Sequence, residues 1–320
     1  MLSSKLSDTD STIIILKICS IIGILAMGFG FGIMPNCINS CRTSSTFLGL
    51  SNAFSGGLFL GIGLFHILPE ASEKFEEEEK LEGIPLAYFL AFLSYALILF
   101  VEKVLSNSHA LMHDNHNHNH IEDESKKIIK EPLIRDSNTE EENKNENENE
   151  KENENEIEEH HHHQTNSLTP YILLLALGFH GLFEGIALGI SSTVKGTLTL
   201  LFAIAAHKWA ASLTLGISFV KSGTENPQYS IMIGIFALIG PVGMLIGLIL
   251  STSTNEIVEG IFLAISTGTF IYIACSEVIV EEFSSQINKY SKFGLFMVGG
   301  LLAASLSFLE ILQGGHHHDD

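Results

Sequence analysis

Apolar residues in this chain are gathered into eight separate runs of about 20 residues, and no soluble fold accommodates that segmentation. The runs cover roughly 12–35, 47–68, 84–105, 170–191, 197–219, 230–251, 257–279 and 292–313. At about 1.5 Å of rise per helical residue, each is long enough to cross roughly 30 Å of hydrocarbon. Water is absent from that region, so the backbone must satisfy its own N–H and C=O groups, and a continuous α-helix does so. The expected fold class is therefore all-α: a polytopic membrane protein of eight transmembrane helices whose main partner is the lipid bilayer. Positions 1–11 are polar and no small-residue cleavage site follows the first run, so that run is expected to stay as the first span.

Two of these runs carry groups that hydrocarbon penalises. The fourth, YILLLALGFHGLFEGIALGI, holds His180 and Glu184, and the fifth, TLTLLFAIAAHKWAASLTLGISFV, holds His207 and Lys208. Ionisable side chains at such depth need a partner or a purpose. His180 and Glu184 are four apart and share one helix face, and His207 lies at a comparable depth in the next run. Two imidazoles and a carboxylate suit Zn²⁺, Fe²⁺ or Mn²⁺, whereas an all-oxygen Ca²⁺ or Mg²⁺ cage does not fit two imidazoles. The competing reading is a set of buried polar residues that bind helices together. Lys208 either pairs with Glu184 or occupies the place of a second metal and tunes the charge.

Outside this core the signals are weaker. His66 and Glu70, again four apart, stand at the outer end of the second run, and with Glu73, Glu76, Glu77, Glu78 and Glu79 they read as a cation-attracting entrance. Glu277, toward the far end of the seventh run, reads as an exit ligand, with Glu281 and Glu282 beyond it. Polar helix ends are the plainer alternative for both groups. Cys19, Cys37, Cys41 and Cys275 are scattered in or beside runs and form no disulfide framework.

Residues 107–168 divide the chain into spans 1–3 (1–106) and spans 4–8 (169–313), with a His/Asp tail at 314–320. The intervening segment contains nine of the 15 histidines, among them His113, His116, His118, His120, His160, His161, His162 and His163, separated by NKNENENENEKENENE. Such a stretch buries too little apolar surface to offset its conformational entropy and is expected to be disordered. Its His clusters are expected to bind metal loosely, since ligands are present without fixed geometry. The net charge of −20 belongs mostly to this segment, and no nucleic-acid partner is expected. The Lys and Arg distribution puts the segment in the cytosol and both termini on the extracytosolic side, in the plasma membrane or an endomembrane.

Taken together, HGLFEGIALG in the fourth run, HKWAASLTLG in the fifth, GLFLGIGLFHILPEA in the second and GTFIYIACSEV in the seventh resemble the ZIP (ZRT/IRT-like) family of divalent-metal transporters. The fourth-run sequence is similar to that family's HSxxEGxxLG signature. The resemblance implies a helical bundle with inverted repeats, no resident cofactor, transported Zn²⁺ (or Fe²⁺ or Mn²⁺), a homodimer, and spans four and five bracketing the metal. It also implies import into the cytosol by alternating access, with one bundle sliding against another. The chain departs from many members at Gly181, at Ala211 in place of a second glutamate, and at Lys208. Those departures imply one transport metal rather than two, and resemble the branch with a His-Lys pair in the fifth span. An intramembrane zinc hydrolase is a weaker reading, because HExxH is absent and no spare carboxylate stands near the site. A membrane metal sensor leaves His180, Glu184 and His207 unexplained.

Overall fold

The computed structural model describes residues 2–38, 44–76, 83–106, 169–251, 256–284 and 287–314. The 107–168 segment with its histidines, Cys41, Glu77, Glu78, Glu79 and the terminal histidines lie outside the described residues. The membrane-spanning helices belong to one unit.

Eight helices are long and apolar enough to cross a membrane, and the described residues contain no strand. They are α1 (Leu2–Cys37), α2 (Ser45–Glu76), α3 (Leu86–Val104), α4 (Thr169–Ile190), α5 (Val194–Lys221), α6 (Asn226–Leu250), α7 (Glu256–Ser284) and α8 (Lys289–Gly314). The ends follow local chemistry. Ser44 and Thr193 cap α2 and α5, accepting from the amides of Phe47 and Gly196. At the far end of α5 the amide of Thr224 bonds the carbonyl of Phe219 while that of Gly223 bonds Val220. Gly223 takes the φ of +70° that this closure needs.

Burial sorts the helices. The most apolar stretches of α2, α4, α5 and α7 are each 67% buried, against 28%, 17%, 44% and 22% for α1, α3, α6 and α8. The first four are thus inner helices and the others form an outer ring. Outer helices present Ile14, Ile18 and Ile22 (α1), Phe92 and Leu97 (α3), Leu238 and Ile249 (α6), and Phe293 and Leu301 (α8) to the surroundings. In water that surface would drive aggregation; in lipid it is the matching face.

The main packing pairs are α1 with α5 and α6, α2 with α7 and α8, α3 with α7, α4 with α6 and α7, and α5 with α2. Exchanging α1 with α6, α2 with α7, α3 with α8 and α4 with α5 maps these pairs onto one another. Exchanged helices are an odd number of crossings apart and so run in opposite directions, which is the inverted-repeat arrangement that the family resemblance implies. Between α4 and α6 the backbones touch through glycine. A Cβ on Gly185 would sit 3.0 Å from the amide nitrogen of Met244, and one on Gly189 would sit 2.7 Å from Cα of Gly247. Close backbone approach through small residues is how helices gain packing energy where lipid removes the hydrophobic drive.

Among the described residues three wide π-helical turns occur: Gly63–Ile67 in α2, Val101–Ser106 beginning in the last turn of α3, and Ile273–Val278 in α7. The pattern of apolar residues gives no sign of them. Those of α2 and α7 lie on helices that exchange under the repeat.

Candidate metal centre

The two histidines and the glutamate singled out in the sequence meet. His180 and Glu184 stand near the middle of α4, and His207 near the middle of α5. His180 Nε2 lies 3.0 Å from Glu184 Oε2, and His207 Nε2 lies 3.1 Å from the same oxygen. All three side chains are buried, at 2%, 5% and 0% relative exposure. Among the described residues this is the one set of three or more His, Cys, Asp or Glu side chains whose ligand atoms lie within 4.8 Å of one another. A carboxylate with two imidazole nitrogens turned onto one of its oxygens is a cluster of lone pairs needing a shared proton set or a cation.

Helix α7 closes the centre from the side. Phe270 packs on the His180 ring with centroids 3.6 Å apart and meets His207 edge-on at 4.8 Å. Phe270 in turn stacks on Phe59 of α2 at 5.5 Å. Ser266, one turn before Phe270, holds the other ring nitrogen of His180. Neither Ser266 nor Phe270 carries a signal in the sequence, because a serine and a phenylalanine in an apolar run are ordinary packing residues until the fold brings them here.

Lys208 does not insert among the ligand atoms. Its ammonium lies over the ring of Phe236, 4.2 Å from the centroid. It is nested between α4 and α6, so that a Cβ on Gly181 would be 3.4 Å and one on Gly240 3.7 Å from Nζ. Gly181 and Lys208, read in the sequence as separate departures from the family pattern, are thus neighbours: a Cβ at Gly181 would come into van der Waals contact with the ammonium.

His66 and Glu70 lie 3.7 Å apart. The helix runs on to Glu76, so the pair sits within α2 rather than at its end, and His66 stands on the π-turn Gly63–Ile67. Lys74 pairs with Glu256 at 3.3 Å and Glu259 at 4.0 Å, which offsets part of the acidic character expected of this mouth. On the opposite side Glu277, on the π-turn of α7, accepts from the Tyr272 hydroxyl at 2.9 Å. That hydroxyl also meets Glu102 of α3, which pairs with Lys103. Glu102 was not among the residues singled out; a lone acid at a helix end gives no cue that a tyrosine will join it to Glu277. Glu282 lies apart in a buried ion cluster, with Lys221 at 2.5 Å, Lys292 at 2.9 Å and Asn52 at 3.0 Å. Lys17 of α1 is buried and donates to the carbonyl of Gly189 at 2.6 Å, where it caps α4.

Comparison with known proteins fits this geometry. Zinc transporter ZIP1 of Takifugu rubripes is 28% identical over 306 residues, 92% of this chain and 97% of that protein. Zinc transporter 11 of Arabidopsis thaliana is 26% identical over 293 residues, 87% of this chain and 79% of that one. Protein zntD of Dictyostelium discoideum is 38% identical over 130 residues, a match that spans 39% of this chain and 19% of the relative. The family model described as ZIP Zinc transporter matches residues 14–307, from the first span into the last. By that extent of match the chain belongs to the ZIP zinc transporter family.

Proposed function

We propose that this chain carries a divalent transition-metal ion, Zn²⁺ before Fe²⁺ or Mn²⁺, into the cytosol through a single site formed by His180, Glu184 and His207. The observation that carries the reading is the convergence of two imidazole nitrogens on one carboxylate oxygen, buried midway along two adjacent inner helices. Three protein ligands leave a coordination position for water, which suits an ion that must be released. The relatives named as zinc transporters favour Zn²⁺ within a donor set that also serves iron and manganese. Membership of a transporter family speaks for a carrier and against an intramembrane hydrolase or a sensor.

The path runs from the end of the bundle where α2 stops to the end where α3 stops and α4 begins. His66 and Glu70 receive the ion, the central site holds it, and Glu277 with Glu102 passes it on. Alternating access requires that the ligand-bearing helices α4 and α5 move against α2 and α7, and the inverted-repeat packing supports such an exchange. The segment 107–168 is read as a separate cytosolic region, and His113, His116, His118, His120, His160, His161, His162 and His163 as loose metal captors there. Both termini are then extracytosolic. A homodimer belongs to the reading on family resemblance alone.

The test is saturable uptake of radioactive zinc by cells with matched surface levels of wild type, His180→Ala and Glu184→Ala. Uptake is expected in the wild type and its loss in both variants. Normal uptake in either variant removes the site from the path.

A further inference from the structure

The two ring nitrogens of His180 face different helices. Nε2 points to Glu184 at 3.0 Å, while Nδ1 lies 2.8 Å from Oγ of Ser266 on α7 and 3.4 Å from the carbonyl oxygen of that residue. Ser266 is fully buried, and its carbonyl accepts the hydroxyl of Thr269 at 2.6 Å, which firms the turn that presents it. Phe270 presses on the same imidazole from the next turn. The second histidine has no such support among the described residues: Nδ1 of His207 is buried there without a hydrogen-bond partner.

We propose that Ser266 is a positioning residue of the metal centre, holding the imidazole of His180 with its Nδ1 edge on α7 so that the Nε2 lone pair is presented to a divalent transition-metal ion. The proposal deepens the transport-site reading and rests on it. A ring nitrogen that binds a metal carries no proton, so the imidazole proton must sit on the other nitrogen, and a buried N–H needs an acceptor. Ser266 supplies one in its hydroxyl oxygen, with its carbonyl oxygen behind. Without metal, with the ring proton on Nε2 beside Glu184, the hydroxyl turns to donate to Nδ1. A rotatable hydroxyl satisfies both arrangements, which a fixed carbonyl alone does not. The two imidazoles are therefore unequal ligands: His180 is oriented by a partner on a neighbouring helix, and His207 by packing against Phe270.

The test compares full-length wild type, Ser266→Ala and Ser266→Thr, purified in detergent, by zinc competition against a fluorescent chelator, by metal-free thermal unfolding, and by zinc uptake at matched surface level. Outer ligands of this kind are worth about 10- to 100-fold in metal affinity. Ser266→Ala is expected to weaken zinc binding by about tenfold or more and to raise the KM of uptake, with Vmax nearly unchanged. Ser266→Thr, which keeps the hydroxyl, is expected to bind like the wild type, and the metal-free Tm of Ser266→Ala to fall only as far as one lost hydrogen bond requires, too little to account for the weaker binding. Wild-type zinc affinity in Ser266→Ala overturns the proposal. So does equal weakness in both variants, or a loss of Tm that accounts for the weaker binding. A wild type that binds no zinc strikes the transport-site reading itself and is thereby distinguishable from a failure of Ser266 alone.

Discussion

Lys208 places a positive charge beside a site read as holding a divalent cation, and it does so from a pocket between α4 and α6 rather than from among the ligands. Like charges repel, strongly so where water is excluded. Lys208→Met keeps the length of the side chain and removes the charge. Zinc is expected to bind about tenfold more tightly to that variant and to leave it more slowly, so that both KM and Vmax of uptake fall. Unchanged zinc affinity and flux would make Lys208 a packing residue held by Phe236. Ala211, where the family resemblance implies a second carboxylate in many members, is buried against the core. Zinc bound at equilibrium, counted by mass spectrometry under native conditions or by atomic absorption, is therefore expected to saturate near one per chain at the central site once 113–163 is removed.

Helix α4 shows why the element matters as much as the ligands on it. His180, Glu184 and the small residues Gly181, Gly185 and Gly189 belong to one helix, so the face that binds and the face that packs are set by the same 3.6-residue period. Gly185→Val would drive a branched side chain into the backbone of α6 near Met244. Overpacking of that kind costs roughly 1–3 kcal/mol, and a lower Tm in detergent is expected, with uptake lost in proportion to folded protein. A Gly185→Val protein as stable as wild type would mean that α6 is free to move away. The apolar run that locates α4 is plain in the sequence. The π-turns of α2, α3 and α7, which re-aim His66, Glu102 and Glu277, are not, because a wide turn inserts one residue into the spiral without any composition of its own.

For the molecule as a whole, the end of the bundle where α3 stops and α4 begins is tied by charge and the membrane face by shape. Glu282 is buried and joins three other helices, through Lys221 of α5, Lys292 of α8 and Asn52 of α2. Removing one partner of a buried ion pair leaves the other charge uncompensated, at a cost of about 3–5 kcal/mol. Glu282→Gln, which leaves the buried Lys292 ammonium without its carboxylate, is thus expected to lower Tm sharply, and Glu282→Gln with Lys292→Met to recover part of the loss; a single variant as stable as the wild type would show that water reaches the cluster. Deletion of 113–163 is expected to leave the maximum rate of uptake nearly intact, since no residue of the central site lies in that segment. A correctly inserted but inactive deletion would bring the segment into the path.

The sequence by itself determined the number of spans, the all-helical class, and the three residues that meet at the centre, because each rests on local periodicity and on the cost of placing charge in hydrocarbon. Helix position and depth follow from counting along one chain. What only the tertiary structure decided is what lies across from each residue. Ser266 and Phe270 on His180, Phe236 on Lys208, Tyr272 between Glu102 and Glu277, and the inner rank of α2, α4, α5 and α7 all arise from contacts between helices far apart in sequence. In a membrane every span is apolar on most faces, so hydropathy identifies the helices but carries little information on which face meets which neighbour; close packing and hydrogen bonding settle that.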